Sequence, residues 1–283
     1  MPVDPATFDP AVLSLAAAAG DGEAAHRLAV LTAVGLGVPH DWPRALALLE
    51  QAARSGVASA QAELALLVGP DGRIDLNHWL EPPPPRPVMS GPAIFAVEGF
   101  LAPVVCDWLR ARADPLMHPA MVYDPLTGAA RQETARTNRA AAIDLTRMDV
   151  VTALVRERIA RLAGLPVPGL EWTQVLGYAV GQTFDWHYDW LDPSLPGYAA
   201  DLVARGQRIA TCLVYLNDDY EGGETAFEAG DLRWRGRKGD ALLWANTLPD
   251  GAIDRRTRHA GLPPTAGEKW VLSQWLRGRA PTV

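Results

Sequence analysis

Five prolines within the seven residues Glu81-Pro82-Pro83-Pro84-Pro85-Arg86-Pro87 divide the chain. Successive pyrrolidine rings fix φ and remove backbone donors, so neither a helix nor a sheet ladder runs through them. Whatever folds must fold on one side of this segment or the other, and the two sides differ in composition. A semi-rigid linker over 81–87 is expected; a ligand for a proline-reading domain is the lesser alternative for the same residues.

Residues 1–80 are rich in alanine and leucine at helical spacing, with little β-branched clustering, and predict helices. Gly20, Ala24 and Leu28 recur as Gly56, Ala60 and Leu64 at a constant offset of 36. Between the copies, Gly35-Leu36-Gly37-Val38 is a turn, Asp41 a cap, and Pro43 sits in the first turn of a helix that stops at Ser55-Gly56. A repeated helix-turn-helix unit is the mark of an α-solenoid. The pattern Gly35-x-Gly37-Val38, Asp41-x-x-x-Ala45, Ala52-Ala53-x-x-Gly56-x-x-x-Ala60 resembles Sel1-like repeats of the tetratricopeptide class. A small helical bundle stays open as the plainer reading. Solenoids need about three repeats to stand alone, so this segment is expected to dock or dimerise and to serve binding.

Residues 88–283 read differently. Amphipathic helices are expected over Val104 to Ala113 and Leu145 to Leu162. After Pro166 come short β runs: Thr173 to Tyr178, Arg208 to Leu216, Thr225 to Phe227, Asp240 to Trp244 and Lys269 to Leu276. Helices followed by many short strands predict an α+β domain with an antiparallel jelly-roll core.

Composition excludes several classes. Lys+Arg 26 against Asp+Glu 33 gives a net charge of -7, poor for a nucleic-acid binder. Cys106 and Cys212 cannot build a disulfide framework, so a reducing cytoplasm is expected. No run approaches the roughly 18 to 20 apolar residues of a membrane span, and no secretory leader is visible, so neither membrane nor export is expected. Eight of the ten tryptophans follow the proline run.

His187-Tyr188-Asp189 lies beside a β run, where residues i and i+2 share a face. With 6 histidines and 33 acidic residues in the chain, a lone His-x-acid is common by chance. His259 adds weight, because it precedes Lys269 at the head of an apolar strand, where a lysine is costly to bury without an anion. Two histidines and a carboxylate make the facial triad that holds ferrous iron with open positions.

Around these residues the chain resembles the prolyl 4-hydroxylase branch of the Fe(II)- and 2-oxoglutarate-dependent dioxygenases. The match runs from about Arg136 to Trp275: Tyr178-x-x-Gly181-Gln182, His187-Tyr188-Asp189-Trp190, Arg208-Ile209-Ala210-Thr211, Tyr215-Leu216-Asn217-Asp218, Gly222-Gly223-Glu224-Thr225-x-Phe227, Gly239-Asp240-Ala241, and His259-x-Gly261-x-Pro263 followed by Gly267-x-Lys269-Trp270. The resemblance implies a double-stranded β-helix core with supporting helices. It implies His187, Asp189 and His259 as Fe(II) ligands, and Lys269, Tyr178 and Thr211 around the distal carboxylate of 2-oxoglutarate. It further implies Arg208, Trp275, Arg136 and Asn138 as substrate contacts, with Asn138 where the branch has serine.

The implied reaction consumes O2 and 2-oxoglutarate, releases succinate and CO2, and hydroxylates a C–H bond, with ascorbate as reductant. A prolyl residue in a peptide or protein, gripped by the helical repeats of a monomer or homodimer, is the leading substrate. A free amino acid or small metabolite, or a non-catalytic binding module, are the alternatives. Neutral imidazoles are needed as ligands, so activity is expected to fall below about pH 6. A mobile lid over Tyr123 to Arg139 is expected, and Trp186, Trp190 and Trp244 are candidates for an aromatic wall. The excess of tryptophan, with Trp270 and Trp275 among those close to proposed ligands, reads as lining of one active site.

Overall fold

The computed structural model describes residues 8–123, 126, 130–131 and 134–279. It divides into two compact units, one of Met1–Glu81 with Leu145–Arg158 and one of Pro82–Asp144 with Ile159–Val283. Residues 145–158 thus group with the helical unit although they follow the proline run.

In the first unit aspartates start the helices. Asp9 caps α1 (Pro10–Ala18), Asp21 caps α2 (Gly22–Val34) and Asp41 caps α3 (Trp42–Arg54), each accepting backbone N–H bonds that the first turn leaves unmade. Gly35 ends α2 at φ 68°, a left-handed cap that glycine adopts without strain. α4 (Ala58–Leu67) and the short α5 (Leu76–Leu80) follow. α1 packs on α2, α2 on α3 and α3 on α4, burying Leu28, Leu31, Leu49 and Leu67. Glu63 is buried among them, accepting from His26 Nε2 (2.6 Å) and Val150 N–H (2.7 Å), and burial raises its pKa.

The second unit begins within the proline run. Arg86 and Pro87 belong to β1 (Arg86–Ser90), paired with β2 (Ala93–Val97), so the expected linker over 81–87 is shorter than its composition suggested. Pro87 is tolerated because β1 is an edge strand, where a missing N–H breaks no ladder. Then come α6 (Pro103–Ala113), β3 (His118–Pro119), β4 (Val122–Tyr123), β5 (Ala130–Arg131), β6 (Arg139–Ile143) and α7 (Val150–Ala163), which crosses the boundary between the units. β7 (Thr173–Tyr178), β8 (Phe184–His187), α8 (Ala199–Arg205), β9 (Arg208–Tyr215), β10 (Glu221–Gly222), β11 (Thr225–Phe227) and β12 (Leu232–Trp234) follow. β13 (Ala241–Ala245), β14 (His259–Gly261), β15 (Pro264–Ala266) and β16 (Lys269–Arg277) complete the unit.

The larger sheet runs β1-β2-β13-β9-β16-β7-β6-β3 and the smaller β12-β11-β14-β8, with antiparallel pairing throughout. Leu176, Leu213, Leu242, Trp244 and Val271 from the first sheet form one buried cluster with Phe227 from the second. Two such sheets closing on one core make a jelly roll, as the order of strands predicted. Gly239 makes one corner possible: its φ is 93°, and a Cβ there would lie 2.2 Å from the carbonyl oxygen of Leu101.

Candidate metal centre

β8 and β14 are neighbours in the smaller sheet, and His187 stands directly opposite His259. The next aligned pair is Phe184 with Gly261, so β8 carries one extra residue, a bulge over Asp185 and Trp186. The bulge turns Phe184 and His187 to the same side, where their rings stack at 3.5 Å. Asp189 follows just beyond the strand. Its Oδ1 lies 3.7 Å from His187 Nε2 and its Oδ2 3.5 Å from His259 Nε2. One ligand atom from each of His187, Asp189 and His259 lies within 4.8 Å of the others.

Both imidazoles are oriented by main chain. His187 Nδ1 donates to the carbonyl of Asp185 (2.6 Å) and His259 Nδ1 to that of Thr257 (2.9 Å), leaving each Nε2 with its lone pair toward the shared centre. Burial, with His259 beside it, pushes His187 down to about 3. Burial alone would raise Asp189, but His259, His187 and a hydrogen bond from Thr211 outweigh it and hold the carboxyl below its ordinary range. Two neutral nitrogens and one carboxylate oxygen are the donor set that ferrous iron takes as a facial triad. Because His187 is held neutral well below pH 6, its protonation does not set the acid limit expected from an ordinary histidine.

A cavity partly open to solvent contains the triad. Lys269 and Tyr178 line it and are direct cross-strand partners in β16 and β7. Lys269 is 1% exposed, with Nζ 5.2 Å from the Tyr178 ring centre and 5.8 Å from that of Tyr215. Among the described residues no carboxylate makes an ion pair with it, and burial pushes its ammonium down to about 7, opposed by the charge of Glu224. Burial also pushes the Tyr178 phenol up to about 12, so it stays a neutral hydrogen-bond donor. A buried cation facing a cavity without a protein counter-ion fits an anionic ligand.

The other expected contacts separate. Trp275 and Arg136 line the cavity, and the Arg136 guanidinium sits 4.3 Å from the Phe184 ring centre. Asn138 does not line it; its Oδ1 accepts from Arg136 Nε (3.2 Å) and so holds that arginine. Arg208 is stacked 3.6 Å from the Trp275 ring centre and engaged by Glu171 at 2.7 and 3.0 Å. Thr211, expected at the cosubstrate carboxylate, lies instead behind Asp189 and donates to its Oδ2 (2.7 Å). Thr211 stands opposite Trp275 in the β9–β16 pairing, six positions along the strand from Lys269, which places its hydroxyl at the triad.

Of the expected aromatic wall, Trp244 lines the cavity, whereas Trp190 is buried elsewhere and Trp186 is 37% exposed. Trp270 packs against Arg110 and Arg139, away from the cavity lining. The tryptophans therefore divide between site and core. Leu176, Thr225 and Ser273 also line the cavity; Ser273 alternates with Lys269, Val271 and Trp275 along β16, a period-two signal present in the sequence. Of the lid expected over Tyr123 to Arg139, residues 124–125, 127–129 and 132–133 lie outside the described residues.

Residues 173–277 match the sequence model of the 2OG-Fe(II) oxygenase superfamily. The chain is 33% identical over 210 residues to prolyl 4-hydroxylase 1 of Arabidopsis thaliana, covering 69% of this chain and 72% of that one. It is 33% identical over 210 residues to the prolyl 4-hydroxylase subunit alpha-1 of Gallus gallus, covering 74% of this chain but 40% of that subunit. Among solved structures it is similar to the viral collagen prolyl hydroxylase of Paramecium Bursaria Chlorella virus-1 in its 2OG complex. That likeness has 26% identity and a TM-score of 0.50, and covers 67% of this chain and 98% of that one. The chain therefore belongs to the prolyl 4-hydroxylase-like 2OG-Fe(II) oxygenases and is a 2-oxoglutarate-dependent dioxygenase that uses Fe(II) and O2.

Proposed function

We propose that this oxygenase hydroxylates a prolyl residue in a peptide or protein, with Fe(II) held by His187, Asp189 and His259 and the distal carboxylate of 2-oxoglutarate held by Lys269. The observation that carries the reading is the buried ammonium, without an ion-paired carboxylate among the described residues, in the same cavity as the triad. Prolyl hydroxylation is drawn from the relatives, several of which are named for it.

Bound in this cavity, Fe(II) and 2-oxoglutarate supply the oxidation by O2 that places a hydroxyl on an unactivated C–H bond and releases succinate and CO2. The chain's own residues bind and orient. The Nδ1–H bonds to Asp185 and Thr257 keep both imidazoles in the tautomer a metal needs. Lys269 supplies charge and Tyr178 a directional O–H toward the same carboxylate. Trp244 and Phe227 pack edge to face at 5.2 Å and wall the interior from water on the His259 side. Arg136 and the Trp275 indole line the cavity and are assigned to the substrate, while Arg208 stacks on the Trp275 ring and fixes it.

The helical unit, read as a Sel1-like segment, is assigned to peptide binding, in a monomer or homodimer; its successive packed helices and Gly35 turn are in keeping with this. A cytoplasmic setting, with ascorbate as reductant, goes with two free, buried cysteines. The test is incubation of the full chain with Fe(II), ascorbate, 2-oxoglutarate and a proline-containing peptide library. A peptide product heavier by one oxygen, formed with succinate, supports the proposal. Succinate release driven by a free amino acid, with no peptide product, transfers the enzyme to small-molecule hydroxylation.

A further inference from the structure

Behind Asp189 lies a hydrogen-bonded pair that none of the roles above uses. Thr211 Oγ1 donates to Asp189 Oδ2 at 2.7 Å and receives the Asn246 side-chain amide at 2.9 Å. Thr211 is 1% exposed and Asn246 0%. The direction of this chain follows from donor inventory. An ionised carboxylate only accepts, so the threonine proton must point to Asp189, and the threonine lone pair is then free to accept only from the amide N–H of Asn246.

Two features show that the arrangement is held in place. The Asn246 main chain is pinned on both sides, its N–H donating to Ile209 (2.8 Å) and its carbonyl accepting from Asp254 (2.9 Å). Its Oδ1 is buried without a donor among the described residues, a cost that a side chain kept only for packing would avoid. Asn246 thus gives up one hydrogen bond and places its N–H on the threonine.

We propose that Asn246 and Thr211 are positioning residues for the metal centre: the amide orders the threonine hydroxyl, and the hydroxyl fixes the Asp189 carboxylate in the rotamer that serves the shared centre. The inference rests on the triad holding a metal. Outer hydrogen bonds of this kind change metal affinity by about 10- to 100-fold.

The test uses the full chain, stripped of metal and titrated with Co(II), following the visible absorption of the bound ion. Thr211→Val, which keeps the shape and removes the hydroxyl, is expected to weaken Co(II) binding about tenfold or more and to shift the absorption bands. Thr211→Ser restores both to within about threefold. Asn246→Leu has a smaller effect, and in the Thr211→Val background it costs nothing further, because the hydroxyl it orders is gone. Co(II) affinity unchanged in Thr211→Val, or an Asn246→Leu effect of equal size with and without the hydroxyl, overturns the relay while leaving the metal centre intact. A lowered melting midpoint of the metal-free variants with unaltered Co(II) affinity overturns it likewise. No Co(II) binding by the unmodified chain overturns the metal reading and this inference with it.

Discussion

Replacing Lys269 by methionine should stabilise the metal-free protein while abolishing its affinity for 2-oxoglutarate. Burial moves the ammonium from its ordinary 10.5 to about 7, which corresponds to about 5 kcal/mol of unfavourable free energy. The sign follows from proton linkage. Between pH 7 and 10.5 the unfolded chain keeps this proton and the folded one does not, so folding is favoured as pH rises; the penalty is whole below pH 7 and gone above 10.5. Methionine keeps the length and volume without the charge. Allowing for relaxation around the charged side chain, roughly half of the penalty is recovered, about 2 to 3 kcal/mol, or a rise in midpoint of at least roughly 5 °C. Thermal unfolding of the metal-free chain at pH 6.5 and pH 10, with calorimetric titration of 2-oxoglutarate at pH 6.5, reads both effects. The reasoning is refuted by a variant that melts lower at pH 6.5, by a stabilisation that grows toward pH 10, or by retained 2-oxoglutarate affinity.

Three further outcomes are expected. His187→Ala should lose succinate formation from 2-oxoglutarate with an unchanged circular dichroism spectrum, and persistent turnover would remove this histidine from the centre. Glu171→Ala should cost about 3 to 5 kcal/mol in denaturant unfolding, because Arg208 (2.7 Å) and Arg277 (2.5 Å) both lose their shared carboxylate inside the fold; a loss under about 1 kcal/mol would show the pair to be screened. Gly239→Ala should cost about 3 kcal/mol or prevent folding, since φ is 93° and the new Cβ would meet the Leu101 carbonyl at 2.2 Å. Wild-type stability in that variant would contradict the corner geometry.

How far the fold could be read in advance depended on the range of the interactions involved. Helix signals are local: Asp41 with Pro43 at one end and Ser55-Gly56 at the other bound α3 to within two residues. Strands buried on both faces announce themselves by β-branched and apolar runs, and β7 and β11 lie where the sequence put them. β8 and β14, which carry the two histidines, are four and three residues long and partly polar, too short for periodicity to register. The bulge at Asp185 and Trp186 is a property of pairing with β14 and cannot be seen in β8 alone. Pro87 reads as linker because four of the five residues before it are prolines; only the sheet order shows that it has an edge to occupy.

The site divides in the same way. His187, Asp189, His259 and Lys269 were legible because their chemistry is costly anywhere else, and they converge on one cavity. The sequence points to Thr211 at the cosubstrate carboxylate, whereas its hydroxyl meets Asp189, because a position on β9 does not tell which of two polar groups the side chain reaches. Arg208 likewise carries the right charge near the site, yet is engaged by Glu171, 37 positions away in sequence. Asn246 gave no signal at all, since its part depends on a contact with a residue 35 positions earlier.

The central claim is that one cavity holds iron on His187, Asp189 and His259 and the distal carboxylate of 2-oxoglutarate on Lys269. Crystals of the full chain grown without oxygen, with Fe(II) and 2-oxoglutarate, and measured at the iron absorption edge test it directly. The account requires an anomalous peak within about 2.2 Å of both Nε2 atoms and an Asp189 oxygen, with a carboxylate of the cosubstrate at hydrogen-bond distance from Lys269 Nζ. Iron bound elsewhere, or 2-oxoglutarate seated away from Lys269, would contradict it.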